Sequence, residues 1–170
     1  MAKDHQNVEL AMDFSFFYGS HFLHTKSRKI DFSSVQAYNN RGRSENISGL
    51  NQGKTKYKYR GFTITYYHGD NEFEHLCNFL ALAHLHTYTA NEHIGDIERF
   101  IRKIKERVVC RCHSIPYNKF TKLMTISLVQ DMIIFLNMFP SKKGIASDLI
   151  PLAIILGSPN PYYNKLKIIF

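Results

Sequence analysis

The amino-acid sequence predicts one α/β domain in which a mixed β-sheet is flanked by helices. Its 170 residues suffice for a single hydrophobic core but not for two well-formed domains. Hydrophobic residues make up 44% of the chain and aromatic residues 14%, a balance typical of folded globular proteins. The hydrophobic periodicity changes along the chain in the order β-β-β-α-β-α-β, followed by further helices, as in mixed α/β domains.

Strand-like patterns dominate the first half of the chain. Residues 13–25 place aromatic side chains on both sides of Gly19 and Ser20, which predicts a β-hairpin, and residues 29–38 can supply a third strand. Residues 39–60 are rich in glycine and polar residues, yet their few apolar side chains recur at near-helical spacing, so we expect a weak helix. Residues 62–67 alternate β-branched and aromatic residues as a strand does, and Gly69 is expected to end this strand.

Helical periodicity dominates the second half. Residues 71–82 predict a helix and residues 84–89 a short strand. The clearest amphipathic helix covers residues 96–110, where one apolar stripe is formed by Ile97, Phe100, Ile101, Ile104 and Val108. An apolar helix from about residue 120 to 139 stops before Pro140; because Gln130, Asp131 and Asn137 interrupt it, a buried core helix is favoured over a membrane span. Residues 164–170 are strand-like.

Charge and cysteine content narrow the choice of partners and compartment. The formal net charge is +8 and the isoelectric point about 9.4, so the surface should attract polyanions, with nucleic acid first and anionic membrane second. The three cysteines are an odd number without an apolar signal segment before them, which favours a reducing, intracellular compartment over a disulfide framework. We expect no membrane insertion.

Three acids occupy positions that suggest metal-dependent chemistry on nucleic acid. The order of elements is one that nucleic-acid-processing enzymes of the ribonuclease-H-like class share, and in that class acids lie on the first strand, just after the fourth strand and on a later helix. Asp13, Asp70 and Glu98 are the candidates at those three places. Carboxylates of this kind can hold two divalent cations for an in-line displacement at phosphorus, and magnesium suits an oxygen-only ligand set.

The helix that carries Glu98 is also strongly basic. Glu98, Arg102 and Lys105 share one face at i, i+4 and i+7, and Arg99 and Lys103 add to six basic residues between positions 99 and 111. This helix can present a metal ligand and hold DNA beside it. The alternatives stay open: Glu98 and Arg102 can be a surface ion pair, Asp13 an edge residue, and the Gly-Asp-Asn segment at 69–71 an ordinary turn.

Other motifs give little support to other chemistries. Cys110, Cys112 and His113 suggest zinc, but no second ligand pair follows at structural-site spacing, so packed thiols are favoured. His84 and His86 alternate along a short strand without a partner motif. The glycines form no phosphate-binding loop.

Several segments resemble one known family. "GDNEFE" at 69–74 resembles the region around the second catalytic aspartate of retroelement integrases, and "GDIERFIRKIKER" at 95–107 resembles the helix that carries their third acid. "FLHTKSRKIDF" at 22–32 is similar to their second and third strands. "DLIPLAIILGSPNPYYNKLKIIF" at 148–170 resembles the segment that follows the core in copia-type LTR retrotransposons. The similarity runs from about Met12 to Phe170.

This resemblance implies a ribonuclease-H-like fold and an enzyme that trims DNA ends and joins them to target DNA. Asp13, Asp70 and Glu98 would bind two Mg²⁺ or Mn²⁺ ions, and Arg102 and Lys105 occupy positions where integrases contact DNA. The basic run of the same helix adds Arg99 and Lys103 to the residues expected to hold DNA. It further implies residues 1–11 as a flexible N-terminus, 12–140 as the catalytic core-like domain and 141–170 as a C-terminal extension. A homo-oligomer in the nucleus and cytoplasm is expected.

The chain also departs from the family pattern. Asp70 and Glu98 enclose 27 residues, fewer than is usual in the family, and the segments that accompany the core in a complete element are not found. We therefore expect a fragment or a decayed copy. The alternative function is a catalytically inactive nucleic-acid-binding module, and a third is a protein-interaction scaffold that does not bind nucleic acid.

Overall fold

The computed structural model describes residues 6–38, 43–76, 84–88, 95–117, 119–141 and 149–157. Its strands are β1 Asn7–Phe17, β2 Ser20–Ser27, β3 Ser33–Tyr38, β4 Thr63–Asp70 and β5 His84–Tyr88. Its helices are α1 Arg43–Tyr59, α2 Gly95–His113, α3 Lys122–Leu136 and α4 Pro151–Leu156, and a 3₁₀ helix spans Asn71–Leu76. The order agrees with the predicted succession of strands and helices.

The five strands form one mixed sheet in the order β3-β2-β1-β4-β5. β1, β2 and β3 are joined as antiparallel neighbours, whereas β4 pairs in parallel with β1 on one side and β5 on the other. Parallel neighbours need a crossover connection, and α1 supplies the one between the β-meander and β4. The predicted α/β class with a mixed sheet is confirmed.

A tight turn connects β1 to β2. Tyr18 and Gly19 both have positive φ, 40° and 81°, a combination found in the two-residue turns that match strand twist. Phe17 pairs with Ser20 directly beyond this turn, and the register continues to Leu10 and Ser27. The predicted hairpin is therefore confirmed.

Each face of the sheet carries its own hydrophobic core. Val8, Leu10 and Met12 of β1 pack into one core, together with side chains from α1, the 3₁₀ helix and α4. Ala11 and Phe17 point to the opposite face, where they pack under α2 and α3. The predicted apolar stripe of α2 is buried in this second core, as the burial of Ile97, Phe100, Ile101, Ile104 and Val108 shows.

Two strand boundaries differ from the sequence-based expectation. β1 begins at Asn7 and buries Val8, Leu10 and Ala11, which corrects the expected flexible N-terminus for residues 7–11. β4 continues through Gly69 to Asp70 instead of ending at the glycine. A Cβ atom at Gly69 would lie 2.8 Å from Phe73 Cδ2 and 3.0 Å from Met12 Cε, so glycine is needed for close packing within the strand.

The predicted helices are present in the described residues, but their ends differ from the predicted positions. The helix expected at 71–82 is a 3₁₀ helix over 71–76, and residues 77–83 lie outside the described residues. α3 buries Thr125, Val129 and Ile133 against the second core, as a core helix should, and ends at Leu136. The strand expected at 164–170 also lies outside the described residues. In the described part of the chain, no helix has the length and apolar character to cross a membrane.

Candidate active site

Asp13 and Asp70 are brought side by side by the parallel pairing of β1 and β4. The last paired residues are Ala11 of β1 and His68 of β4, and each aspartate lies two residues beyond its strand's member of this pair. Residues two apart on a strand point to the same face. Both carboxyl groups therefore project from the face that contains Ala11 and lies under α2, at the point where the two strands stop pairing.

Glu98 is held near this point by the first turns of α2. Ile97, Phe100 and Ile101 anchor the start of the helix in the second core, and Glu98 itself is exposed beside them. α2 contacts β1 and β2, and the charge of Glu98 in its first turn acts on Asp13 of β1. The first strand, the end of the fourth strand and the later helix thus each contribute an acid to one region.

The electrostatics of Asp13 reflect its burial and the charges of nearby acids. Asp13 is half-buried, and burial raises the pKa of its carboxyl group to about 6 from an ordinary value of 3.8. The Phe14 backbone N–H donates a 2.6 Å hydrogen bond to Asp13 Oδ1 and opposes that rise. The negative charges of Asp70, Glu98 and Glu72 each raise the pKa of Asp13 further.

Glu72 is a fourth acid at this site, and the sequence analysis did not assign it. It lies in the first turn of the 3₁₀ helix directly after Asp70, is exposed, and acts electrostatically on Asp13. The available signal was the acidic cluster Asp-Asn-Glu at 70–72, from which only Asp70 was assigned.

The donor chemistry of this site suits a hard divalent cation, because all four side chains are carboxylates. Mutual repulsion that raises the pKa of Asp13 is also what a bound cation would relieve. Within the described residues, however, no three His, Cys, Asp or Glu side chains are grouped so that they could hold one ion together. In this arrangement, each metal ion would therefore be bound by a pair of carboxylates. The metal-binding role of Asp13, Asp70 and Glu98 stays a prediction.

The four predicted DNA-binding residues of α2 lie on two different flanks of the helix. Arg102 and Lys105 share the flank of Glu98, which we call the acid flank, and Lys105 Nζ lies 5.6 Å from the centre of the Phe17 ring. Arg99 and Lys103 lie on the other side, which we call the cavity flank, because both line a cavity there. Arg99 also donates to Asp96 Oδ1 at 2.9 Å and to the Gly95 carbonyl at 2.8 Å.

A buried polar pair supports the strand beside Asp13. Ser15 Oγ and His24 Nε2 are 2.6 Å apart, and His24 is the residue opposite Asp13 in the β1–β2 register. Complete burial, aided by the positive charge of Lys105, lowers the pKa of His24 to about 3, so its ring is neutral at pH 7. Sequence periodicity does not reveal this pair, because Ser15 and His24 meet only through the strand register.

A second polar network lies two residues before Asp70 on β4. Glu9 Oε2 is 2.9 Å from His68 Nε2 and 3.3 Å from the Arg28 guanidinium. Burial lowers the pKa of His68, whereas for Glu9 the hydrogen bonds and charges of His68 and Arg28 outweigh burial and lower the pKa of its carboxyl group. This network joins β1 and β4 to Arg28, which directly follows β2.

The remaining sequence motifs do not form sites in the described residues. Cys110 is exposed whereas Cys112 is buried in the second core, so the two thiols do not face a common ligand position. Packing accounts for Cys112 as expected. His84 and His86 are exposed on β5, with their rings 5.6 and 5.1 Å from the Tyr66 ring.

Comparison with known proteins gives a structural likeness. Neither a protein-family model nor a curated protein matches the sequence. The catalytic core domain of BIV integrase matches the structure with a TM-score of 0.58 and 17% identity, covering 88% of this chain and 93% of that domain. The HTLV-2 integrase catalytic core domain, in a trimeric form in complex with magnesium, matches with a TM-score of 0.61 and 16% identity over 86% of this chain and 94% of that domain. The chain therefore has the ribonuclease-H-like fold of the retroviral integrase catalytic cores.

Proposed function

We propose that this chain is an integrase-like polynucleotidyl transferase domain that processes DNA ends and transfers strands. The observation that carries the proposal is the position of Asp13 and Asp70 at the same level of adjacent parallel strands, where burial raises the pKa of Asp13 and the charges of Asp70 and Glu98 raise it further. Acids on the first strand, the fourth strand and a later helix are what the resemblance to integrases predicts. The structural likeness to two integrase cores supports the same reading.

Each acid has a definite part in this proposal. Asp13 and Asp70 would hold one Mg²⁺ or Mn²⁺ ion, and Asp13 with Glu98 would hold a second. Such ions activate an attacking oxygen and stabilise the leaving oxygen at phosphorus. The hydrogen bond from Phe14 N–H fixes one oxygen of the Asp13 carboxyl group.

The basic residues of α2 would position the substrate. Arg102 and Lys105 lie on the acid flank, where they would bind phosphates of a DNA strand that runs past Glu98 toward Phe17. Arg99 and Lys103 would contribute from the cavity flank to a second stretch of backbone. The net charge of +8 would add long-range attraction for DNA that weakens as salt concentration rises.

Origin and assembly are part of the same proposal. The resemblance of residues 148–170 to the segment after the core of copia-type elements supports an LTR retrotransposon origin, as a fragment or decayed copy. A homo-oligomer in the nucleus and cytoplasm would follow from that origin.

A second candidate is a nucleic-acid-binding module without catalysis. It is favoured by the absence, in the described residues, of three metal-ligating side chains around one position. This module would keep the basic helix and bind DNA through phosphate contacts alone.

A strand-transfer assay separates the two candidates. We expect magnesium-dependent joining of a short DNA duplex, reduced about 100-fold or more by Asp70→Asn and by Glu98→Gln, because each removes carboxylate charge at the reacting phosphate. Glu106→Gln is the matched control, since Glu106 is exposed two turns further along α2. Salt-sensitive DNA binding without any transfer, unchanged by both substitutions, would establish the inactive module instead.

A further inference from the structure

A cavity of about 650 Å³ lies on the cavity flank of α2, away from the acids. It is bounded by α2, by the end of β2 with the turn that follows, and by the C-terminal end of α3 with residues 139–141. Asp13, Asp70 and Glu98 are not among its lining residues. Its volume is within the range of about 300–1,000 Å³ in which proteins bind small molecules.

Cations outnumber acids around this cavity. Five basic side chains and two acidic ones line it, namely Lys26, Arg28, Arg99, Lys103, Arg107, Asp31 and Asp96. Both acids are already neutralised, Asp31 by Lys26 at 2.8 Å and Asp96 by Arg99 at 2.9 Å. Lys103 and Arg107 have no carboxylate partner in the described part of the chain, so their charges are available to an anion.

Aromatic side chains form another part of the same wall. Phe100, Phe135 and Phe139 line the cavity, and the rings of Phe135 and Phe139 meet edge to face at 4.8 Å. The Arg107 guanidinium lies 5.7 Å from the centre of the Phe135 ring, so the free cation and the aromatic surface adjoin each other. An anion bound by Arg107 would therefore leave the rest of its molecule against phenylalanine rings.

A buried hydroxyl group on the wall points to a polar ligand. Ser33 is 2% exposed and lines the cavity, and its Oγ has no hydrogen-bond partner among the described residues. Its backbone groups are occupied, because Asn137 Oδ1 accepts from Ser33 N–H at 2.9 Å and Asn137 Nδ2 donates to the Ser33 carbonyl at 2.7 Å. An unpaired buried hydroxyl is unfavourable unless a ligand or water supplies the missing bond.

We propose that this cavity is a nucleotide-binding site, in which Lys103 and Arg107 hold a phosphate group and Phe135 and Phe139 contact an aromatic base. A ligand that combines negative charge with a flat aromatic ring satisfies both parts of the wall, and Ser33 can hydrogen-bond its polar edge. A free mononucleotide and one unit of a single-stranded nucleic acid share this chemistry. None of the acids Asp13, Asp70 and Glu98 lines this site, but Lys103 is shared with the DNA contacts proposed above.

Titration calorimetry with deoxyadenosine monophosphate tests this site. We expect saturable binding that is at least tenfold weaker in the Lys103→Ala, Arg107→Ala double variant and unchanged in Lys58→Ala, an exposed cation of α1 on the other face of the sheet. Asp70→Asn should bind as tightly as the parent chain, which separates this site from the acids. Deoxyadenosine and inorganic phosphate should each bind at least tenfold more weakly than the nucleotide.

The same variants distinguish the two sources of the nucleotide. A short single-stranded oligonucleotide that binds more tightly than the mononucleotide, with the same loss in the double variant, would identify a strand; equal affinities would identify a free nucleotide. Lys103→Gln with Arg107→Gln keeps the side-chain stems and serves if the alanine variant unfolds. Absence of nucleotide binding, binding unaffected by the folded variants, or equal affinity for inorganic phosphate would overturn the proposal.

Discussion

Asp13 lies in an environment that opposes its own charge. Burial and three neighbouring acids raise its pKa from 3.8 to about 6, so between these values the folded chain keeps a proton that the unfolded chain has released. The contribution of Asp13 protonation to the free energy of unfolding is therefore fully present below about pH 4 and is lost as pH rises through 6. A shift of this size corresponds to about 3 kcal/mol, reduced to about 1–2 kcal/mol by partial exposure.

We therefore expect Asp13→Asn to stabilise the protein at pH 7.5 and to leave its stability nearly unchanged at pH 4. Asparagine does not ionise, yet its side-chain oxygen can still accept the Phe14 N–H. Urea unfolding at the two pH values should show a gain in the free energy of unfolding of about 1–2 kcal/mol at pH 7.5 only.

Asp131→Asn on the exposed surface of α3 is the matched control, with a change within about 0.5 kcal/mol at both pH values. An equal gain from Asp13→Asn at pH 4 and pH 7.5 would assign the effect to packing instead of charge. A loss at pH 7.5 would contradict the raised pKa.

At the same scale, the sequence suggested some of these neighbouring residues and not others, for a physical reason. Asp13 lies within β1, Asp70 ends β4 and Glu98 lies in the first turn of α2, and all three elements have local hydrophobic periodicity, so the elements that carry these acids could be predicted. Glu72 depends on the 3₁₀ turn after β4, and the pair of Ser15 and His24 depends on strand register. Neither feature leaves a periodic signal.

Among the elements, α3 and β3 are joined by one buried side chain. Asn137, at the C-cap of α3, forms two hydrogen bonds to the backbone of Ser33, and the sequence analysis interpreted it only as a polar interruption of an apolar helix. Gln130 and Asp131, interpreted in the same way, are exposed. A polar residue in an apolar helix can thus be exposed or can form buried hydrogen bonds, and only the packing of the helix distinguishes the two cases.

Asn137→Ala should lower the free energy of unfolding by about 2–4 kcal/mol, because it leaves a buried N–H and a buried carbonyl of Ser33 without partners. Chemical denaturation measures this change. Asn51→Ala, at an exposed position of α1, is the control and should cost less than about 0.5 kcal/mol. A small effect at Asn137 would mean that water replaces both hydrogen bonds.

The helices and strands whose hydrophobic pattern is local in sequence could be predicted well, and those that depend on distant contacts could not. The stripe of the 19-residue helix α2 repeats at helical spacing, and its members from Ile97 to Val108 were predicted, whereas buried Cys112 was not. The start of β1 was missed because Asn7 and Glu9 are polar, although β1 is held there by pairing with β4 on one side and β2 on the other. Gly69 suggested a strand end, whereas contact with Phe73 and Met12 explains it.

For the whole molecule, the site arises from pairing between distant strands. Asp13 and Asp70 are 57 positions apart, and only the register of Ala11 with His68 sets them level with each other. Sequence periodicity gives the order of elements but not this register, because a shift by one residue would send either side chain to the opposite face. The strand register, together with the position of α2, thus brings the three predicted acids into one region of the molecule.

Divalent cations should stabilise the folded protein as a whole if these acids bind them. Linkage predicts a gain of about 1.4 kcal/mol when free Mg²⁺ is ten times its dissociation constant, which raises Tm by about 3–6 °C for a chain of this size. Thermal unfolding with increasing Mg²⁺ at constant ionic strength measures the gain. Asp70→Asn should abolish most of the shift, whereas Glu106→Gln should retain it, because Glu106 lies away from Asp13. An identical shift in Asp70→Asn would place the cation elsewhere on the protein.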